Sequence, residues 1–185
     1  MKRYLAICII LVMLCGCAQN GKPIDRAMSL RQSVLMGNGC SFLVMLTADY
    51  QDICYEFTMK CDADGQGNVH FEVTSPDSIN GIKGRISEGS GQLTFDDQAL
   101  LFSMMADGQI SPVCGPWIFL KALRNGYIDS CAQDDDGLLI RFSDTIADNV
   151  VRINVLTSDN IPVFAEIIYD EKRILSMQIE NFCVL

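Results

Sequence analysis

Histidine is nearly missing from this chain: His70 is the only one in 185 residues. A catalytic dyad or triad with a histidine base, or a histidine-rich metal set, would therefore have one residue to draw on. His70 also alternates with apolar neighbours, on the polar side of Val69, Phe71 and Val73, where an exposed histidine is unremarkable. No Gly-x-Ser-x-Gly elbow, phosphate-cradling Gly-rich loop or His-Glu-x-x-His pair occurs. No Cys-x-x-Cys occurs either, which leaves zinc and thiol-redox chemistry without their usual pattern. The chain reads as non-enzymatic, with no cofactor and no metal. Basic residues are also scarce, 14 against 23 acidic, for a formal net charge of −9. Such a chain repels phosphate backbones, which argues against nucleic acid as a partner. Tryptophan occurs once, at Trp117, and five prolines build no linker. No repeat at solenoid spacing is found. No apolar run reaches the roughly 20 residues needed to span a bilayer.

The longest apolar run, Leu5 to Leu14, follows the charged start Met1-Lys2-Arg3 and ends in Leu14-Cys15-Gly16-Cys17. Positive start, short apolar core and small residue before a cut site make a secretory signal. The exit resembles the bacterial lipobox, with an aliphatic residue at −3, a small one at −1 and cysteine at +1. Cys17 is then the lipid-attachment residue, and residues 1–16 are removed. Two or more acyl chains give stable membrane attachment, where one holds only marginally. The segment 17–23 is read as a lipidated tether; its six residues after Cys17 reach about 20 Å when extended. The expected location is extracytoplasmic, anchored to the cell membrane.

Cleavage leaves 169 residues and moves the net charge to −11. That length suits a single domain, assigned to residues 24–185, able to bury about 70 % of its unfolded surface. Six cysteines remain: Cys40, Cys54, Cys61, Cys114, Cys131 and Cys183. In an oxidising compartment they can pair; otherwise they pack as small hydrophobes.

Ile24 to Met36 reads as a helix with the stripe Ala27, Leu30, Val34 and Leu35, stopped by Gly37-Asn38-Gly39. Residues 40–48 and 53–61 both alternate. A two-residue hairpin about Tyr50-Gln51 sets Cys40, Phe42, Val44, Leu46 and Ala48 opposite Cys61, Met59, Phe57, Tyr55 and Ile53, all on one face. In that register Cys40 faces Cys61 directly, as a non-hydrogen-bonded pair, which makes a cross-strand disulfide or two neighbouring thiols. Further alternating segments follow, divided by Asp64-Gly65-Gln66-Gly67-Asn68, Ser75-Pro76-Asp77 and Glu88-Gly89-Ser90-Gly91.

A second helix interrupts the strands. Ser111 is its expected N-cap, Pro112 its first residue, and Asn125-Gly126 its end. Val113, Cys114, Trp117, Ile118, Phe119, Leu120 and Leu123 leave little polar surface, so this helix is expected to be buried, with Gly115-Pro116 loosening its first turn. Strands at 127–132, 138–142, 150–156, 161–168 and 174–182 close the chain. The predicted fold is α+β: a large curved antiparallel sheet, an incomplete β-barrel, with helices packed in its concave face. Asp62-Ala63-Asp64-Gly65 lacks the bidentate glutamate of a calcium loop, since Val73 stands there, and reads as a polar turn. Asp134-Asp135-Asp136-Gly137 reads as a solvated hairpin tip.

Several features together resemble the LolA/LolB-like lipoprotein-carrier superfamily: the helix before the first hairpin, Val73-Thr74-Ser75-Pro76-Asp77-Ser78-Ile79 closing the third strand, Ser111-Pro112 opening a helix that ends Leu123-Arg124-Asn125-Gly126, and Ile161-Pro162 starting a late strand. The resemblance implies an apolar cavity for acyl chains or another lipid. Its relatives include clostridial spore-germination lipoproteins that bind a protein partner. No residue here matches the carriers' functional arginine. Two functions follow as expectations. One is binding of a lipid, acyl chain or lipoprotein in a cavity lined by Phe42, Val44, Tyr55, Phe57, Trp117 and Leu120. The other is a surface interaction module, for an envelope or sporulation-related partner or a second copy of the chain, with a closed core and an exposed apolar patch in which Leu43 and Met45 are candidates.

Overall fold

Strands dominate the chain. The computed structural model describes residues 22–50, 53–88, 90–96, 98–106, 109–146 and 148–185; the signal segment and Cys17 lie outside them. Six strands come first: β1 (Gly39–Asp49), β2 (Cys54–Asp64), β3 (Val69–Ser75), β4 (Lys83–Ser87), β5 (Ser90–Phe95) and β6 (Gln98–Phe102). A small ribbon, β7 (Met105–Ala106) with β8 (Gln109–Ile110), leads to the second helix. Then come β9 (Tyr127–Asp134), β10 (Gly137–Ile146), β11 (Asn149–Ser158), β12 (Ile161–Tyr169) and β13 (Lys172–Val184). Helix α1 (Pro23–Met36) precedes β1, and helix α2 (Gly115–Asn125) sits between β8 and β9.

All but β7 and β8 form one antiparallel sheet of order β6-β5-β4-β3-β2-β1-β13-β12-β11-β10-β9. Every neighbouring pair is consecutive in sequence except β1 with β13, which joins the two halves of the chain. The edge strands β6 and β9 do not meet, so the curved sheet stays an incomplete barrel, as expected. Period-two burial gives the strands their inner face: Phe42, Val44, Leu46 and Ala48 on β1, Leu138, Ile140 and Phe142 on β10, Val151, Ile153 and Val155 on β11. Tight hairpins fix the late registers. Asp159-Asn160 and Asp170-Glu171 each hold two positive φ angles, the geometry that matches the right-handed twist of the flanking strands.

The first hairpin corrects the expected register. Phe42 pairs with Cys61, Val44 with Met59, Leu46 with Phe57, and Ala48 with Tyr55; Cys40 faces Ala63. The shift is by two residues, so each side chain keeps its face. The cause is the turn. The ladder runs to Asp49 and Cys54, and Tyr50 donates its backbone N–H to the Ile53 carbonyl at 3.0 Å, so the chain reverses one residue later than expected. The Tyr50 hydroxyl donates to the Ile110 carbonyl. Cys40 and Cys61 are therefore diagonal neighbours, a spacing of about 7–8 Å, wider than the approach a disulfide needs. Both are buried free thiols.

Ser111 and Pro112 open a 3-10 turn, Pro112–Cys114, and the α-helix itself begins at Gly115, where the sequence predicted a loosened first turn. Gly115 touches the sheet so closely that a Cβ would meet Leu46 at 2.8 Å. Trp117, Ile118, Phe119, Leu120, Ala122 and Leu123 are all buried. The Phe119 ring stands edge-on to Phe42 at 5.8 Å and to Phe182 at 6.2 Å. Each such side chain contributes roughly 1.5–3 kcal/mol by leaving water.

Helix α1 lies across one end of this assembly. Near its start Arg26 donates to the Gln133 side chain at 2.6 Å, beside the β9–β10 turn. Just past its end Asn38 donates its backbone N–H to Leu185 at 2.8 Å. Ala27, Leu30 and Val34 point inward, while Leu35, expected on the same stripe, is 44 % exposed because it lies one residue off their line.

Candidate functional site

The end of α2 under α1 is sealed. Arg31 donates to the carbonyls of Leu123 (2.9 Å) and Gly126, and Arg124 donates to Gly65 in the β2–β3 turn at 2.8 Å. The last carbonyls of a helix have no intrahelical partner, and here guanidinium groups supply one. Arg31 also stands 5.7 Å from the Phe142 ring centroid.

The other end of α2 is open. A cleft of about 640 Å³ lies there, bounded by Tyr50, Ile53, Tyr55 and Phe57 from the β1–β2 hairpin, Ile79 from the turn after β3, Gln109 and Ile110 from β8, and Ser111, Pro112 and Val113 entering α2. Ile53 and Tyr55 are about half exposed, at 52 % and 48 %, and form its lip; Ile110 is buried and forms its floor. The Tyr50 and Tyr55 rings meet edge-on at 6.4 Å. Burial pushes the Tyr50 phenol up to about 12, with Cys114 and Tyr55 adding to the rise, so the ring remains a neutral donor to Ile110. Burial likewise pushes the Cys114 thiol beneath up to about 12, against a hydrogen bond with Ser111 that lowers it. The cleft thus offers apolar side chains and uncharged polar groups. It can hold a greasy ligand, and it presents no charged nucleophile.

The six residues expected to line a cavity part company. Tyr55 and Phe57 line the cleft. Phe42, Val44 and Leu120 are packed in the core, where the helix meets the sheet. Trp117 lies on another flank of α2, 5.8 Å under the Lys121 ammonium, beside a separate polar recess of about 270 Å³ that it shares with Gln66, Glu88 and Arg124. Sequence reading missed Tyr50, Ile79, Ile110 and Val113 as cleft residues. Tyr50 looked like the tip of a turn, and Ile110 sat in a segment without strong periodicity. The one available signal was Ile110 standing directly before Ser111-Pro112.

Other candidates fall elsewhere. His70 is exposed on β3, opposite Asp62 and Arg85. The Asp64 carboxylate accepts the backbone N–H groups of Gln66 and Asn68 and the Asn68 amide. Burial would raise its pKa; these bonds outweigh that and hold it below the usual carboxylate range. The Asp134 carboxylate accepts the backbone N–H groups of Asp136 and Gly137. Among the described residues no three His, Cys, Asp or Glu side chains are grouped to hold a metal ion, and no helix is long and apolar enough to cross a membrane. A second hollow, about 470 Å³, lies among Met45, Thr47, Glu56, Thr58 and Gln178. Its lining is evenly mixed, with Phe57, Pro76 and Phe164 beside these polar side chains.

Fold and cleft together define an open half-barrel with a buried helical plug and an apolar mouth at one end. No family model and no curated protein matches the chain. Solved structures do resemble it. A LolA superfamily protein from Nitrosomonas europaea has 13 % identity and a TM-score of 0.45 over 86 % of this chain and 93 % of its own. An uncharacterised conserved protein from Thermus thermophilus has 11 % identity and a TM-score of 0.48 over 86 % and 87 %. The lipoprotein LppX from Mycobacterium tuberculosis has 12 % identity and a TM-score of 0.39 over 86 % and 92 %. These are likenesses of overall form at low identity, and what the chain binds rests on its own residues.

Proposed function

We propose that this protein is a non-catalytic, extracytoplasmic lipoprotein, anchored through Cys17, that holds an apolar ligand in the cleft at the open end of α2. An acyl chain or lipid tail is the ligand class of choice. The observation that supports this most is the cleft: about 640 Å³, within the range of known ligand sites of roughly 300–1,000 Å³, and lined chiefly by Tyr50, Ile53, Tyr55, Phe57, Ile79, Ile110 and Val113. Phe42, Val44 and Leu120 behind it belong to the buried core, so the ligand lies in the mouth and against the lip.

Native mass spectrometry of residues 18–185 tests the reading. One or a few acyl species should co-purify and leave on unfolding, and Tyr55→Asp at the half-exposed lip should empty the site while the fold persists. A clean apo mass that stays clean after incubation with lipid would overturn it. Anchoring is tested separately, by fatty-acid labelling that Cys17→Ser abolishes.

The interaction-module reading keeps one observation in its favour. The edge hairpin β5–β6 exposes Phe95 (54 %), Leu100 (64 %) and Leu101 (76 %), and among the described residues no strand lies beyond it. Apolar, unprotected sheet edges pair readily with other chains. In the same spectra that reading gives a dimer mass or a captured protein, with an empty cleft.

A further inference from the structure

Helix α1 has more apolar surface than its packing uses. Ala27, Leu30 and Val34 face inward and are buried. A second line, Ile24, Met28 and Leu35, falls on one face of the helix by its spacing of four and seven residues. Those three are 42 %, 49 % and 44 % exposed, and Met36 beyond them is 76 % exposed. Arg26 and Arg31 of the same helix are held by the protein, by Gln133 and by the Leu123 and Gly126 carbonyls, and do not cover this line. The helix also begins close to the expected anchor. Four residues lie between Cys17 and Lys22, a reach of about 18 Å over five steps at full extension. A lipid on Cys17 therefore holds the start of α1 against its own bilayer.

We propose that α1 lies on that bilayer, with Ile24, Met28 and Leu35 entering the headgroup–acyl boundary. This rests on Cys17 as the lipidated residue. An interfacial helix buries its apolar line about 5–10 Å into that boundary. The contact is chiefly apolar. The Asp134–Asp136 turn, next to the Gln133 that Arg26 holds, offsets part of the local positive charge, and charges farther than about 8–10 Å are screened. The consequence is an orientation. Because α1 crosses the end of the sheet where β1 starts and β13 finishes, and the cleft lies at the β1–β2 turn, the cleft opens away from the anchoring membrane.

The test uses the mature, lipidated protein on vesicles of phosphatidylethanolamine and phosphatidylglycerol with brominated acyl chains. A Met28→Trp variant places a reporter that would sit about 5–10 Å into the boundary and should lose about half its emission relative to unbrominated vesicles. A Tyr55→Trp variant on the cleft lip should lose none beyond the background set by Trp117 in the unsubstituted protein. Flotation with the vesicles is scored in parallel. Protein that floats without quenching of the Met28→Trp reporter overturns the orientation and leaves the anchor standing. Quenching of the Tyr55→Trp reporter instead overturns it in favour of a mouth facing the membrane. Protein that does not float, with Cys17→Ser indistinguishable from it, overturns the anchor and the orientation together.

Discussion

The two ends of α2 are held by different forces. At the end beneath α1, guanidinium groups of Arg31 and Arg124 satisfy backbone carbonyls and tie three elements together. At the cleft end the Tyr50 phenol reaches the Ile110 carbonyl and Ser111 bonds the Cys114 thiol, and most of the other lining is apolar. Charge-assisted bonds to buried carbonyls are directional and leave no gap when made. Apolar lips are not directional, so they tolerate replacement of one apolar neighbour by another, including a ligand. The fold closes one end of its half-barrel with geometry and leaves the other in a condition that a lipid tail can complete.

Breaking what both ends share should have the largest effect. Phe119→Ala removes the ring packed between Phe42 and Phe182 and should cost about 3–5 kcal/mol, read as a lower urea midpoint. Next is the sealed end. Arg31→Met leaves the Leu123 and Gly126 carbonyls without their partner and should cost about 1–3 kcal/mol, with faster hydrogen exchange confined to residues 122–126 and none in the cleft. The open end should give less. Tyr50→Phe loses one hydrogen bond, about 1 kcal/mol, but should loosen residues 109–112 and change lipid occupancy, which Arg31→Met should not. Smallest is the exposed edge: Leu101→Ser should shift stability by no more than about 0.5 kcal/mol while reducing self-association.

Alkali acts at the cleft end and beyond it, since burial also raises the Cys40 and Cys61 thiols. Burial raises Cys114 from 9.0 and Tyr50 from 10.0, both to about 12, so the folded state keeps these groups neutral after the unfolded chain has released its protons. Their stabilising contribution is complete below pH 9 and is lost as pH rises from about 9 to 12. Urea midpoints across that range should fall, and less steeply in Cys114→Ala. An unchanged slope would mean that the cleft floor does not exclude water as its burial indicates.

Period-two alternation placed the strands because each strand turns one face to the core, and the same alternation survived the register error: a shift of two moves partners but keeps faces. The buried helix was equally plain, since Trp117 to Leu123 has hardly a polar face to expose. The cleft was not. Tyr55 and Phe57 were found because they share a face with the core, and Phe42, Val44 and Leu120 share it too; only distance from α2 separates lining from filling. Tyr50, Ile79 and Ile110 come from three separate stretches of chain, and no periodicity joins them.

What the sequence determined by itself is local and repetitive: the alternating strands, the two helices, the scarcity of catalytic groups. These follow from short-range preferences and from which side chains avoid water. The tertiary structure alone decided which end of the half-barrel is sealed and which is open. That depends on where Arg31 and Tyr50 meet carbonyls far along the chain, and such meetings are set by how the sheet curves around α2.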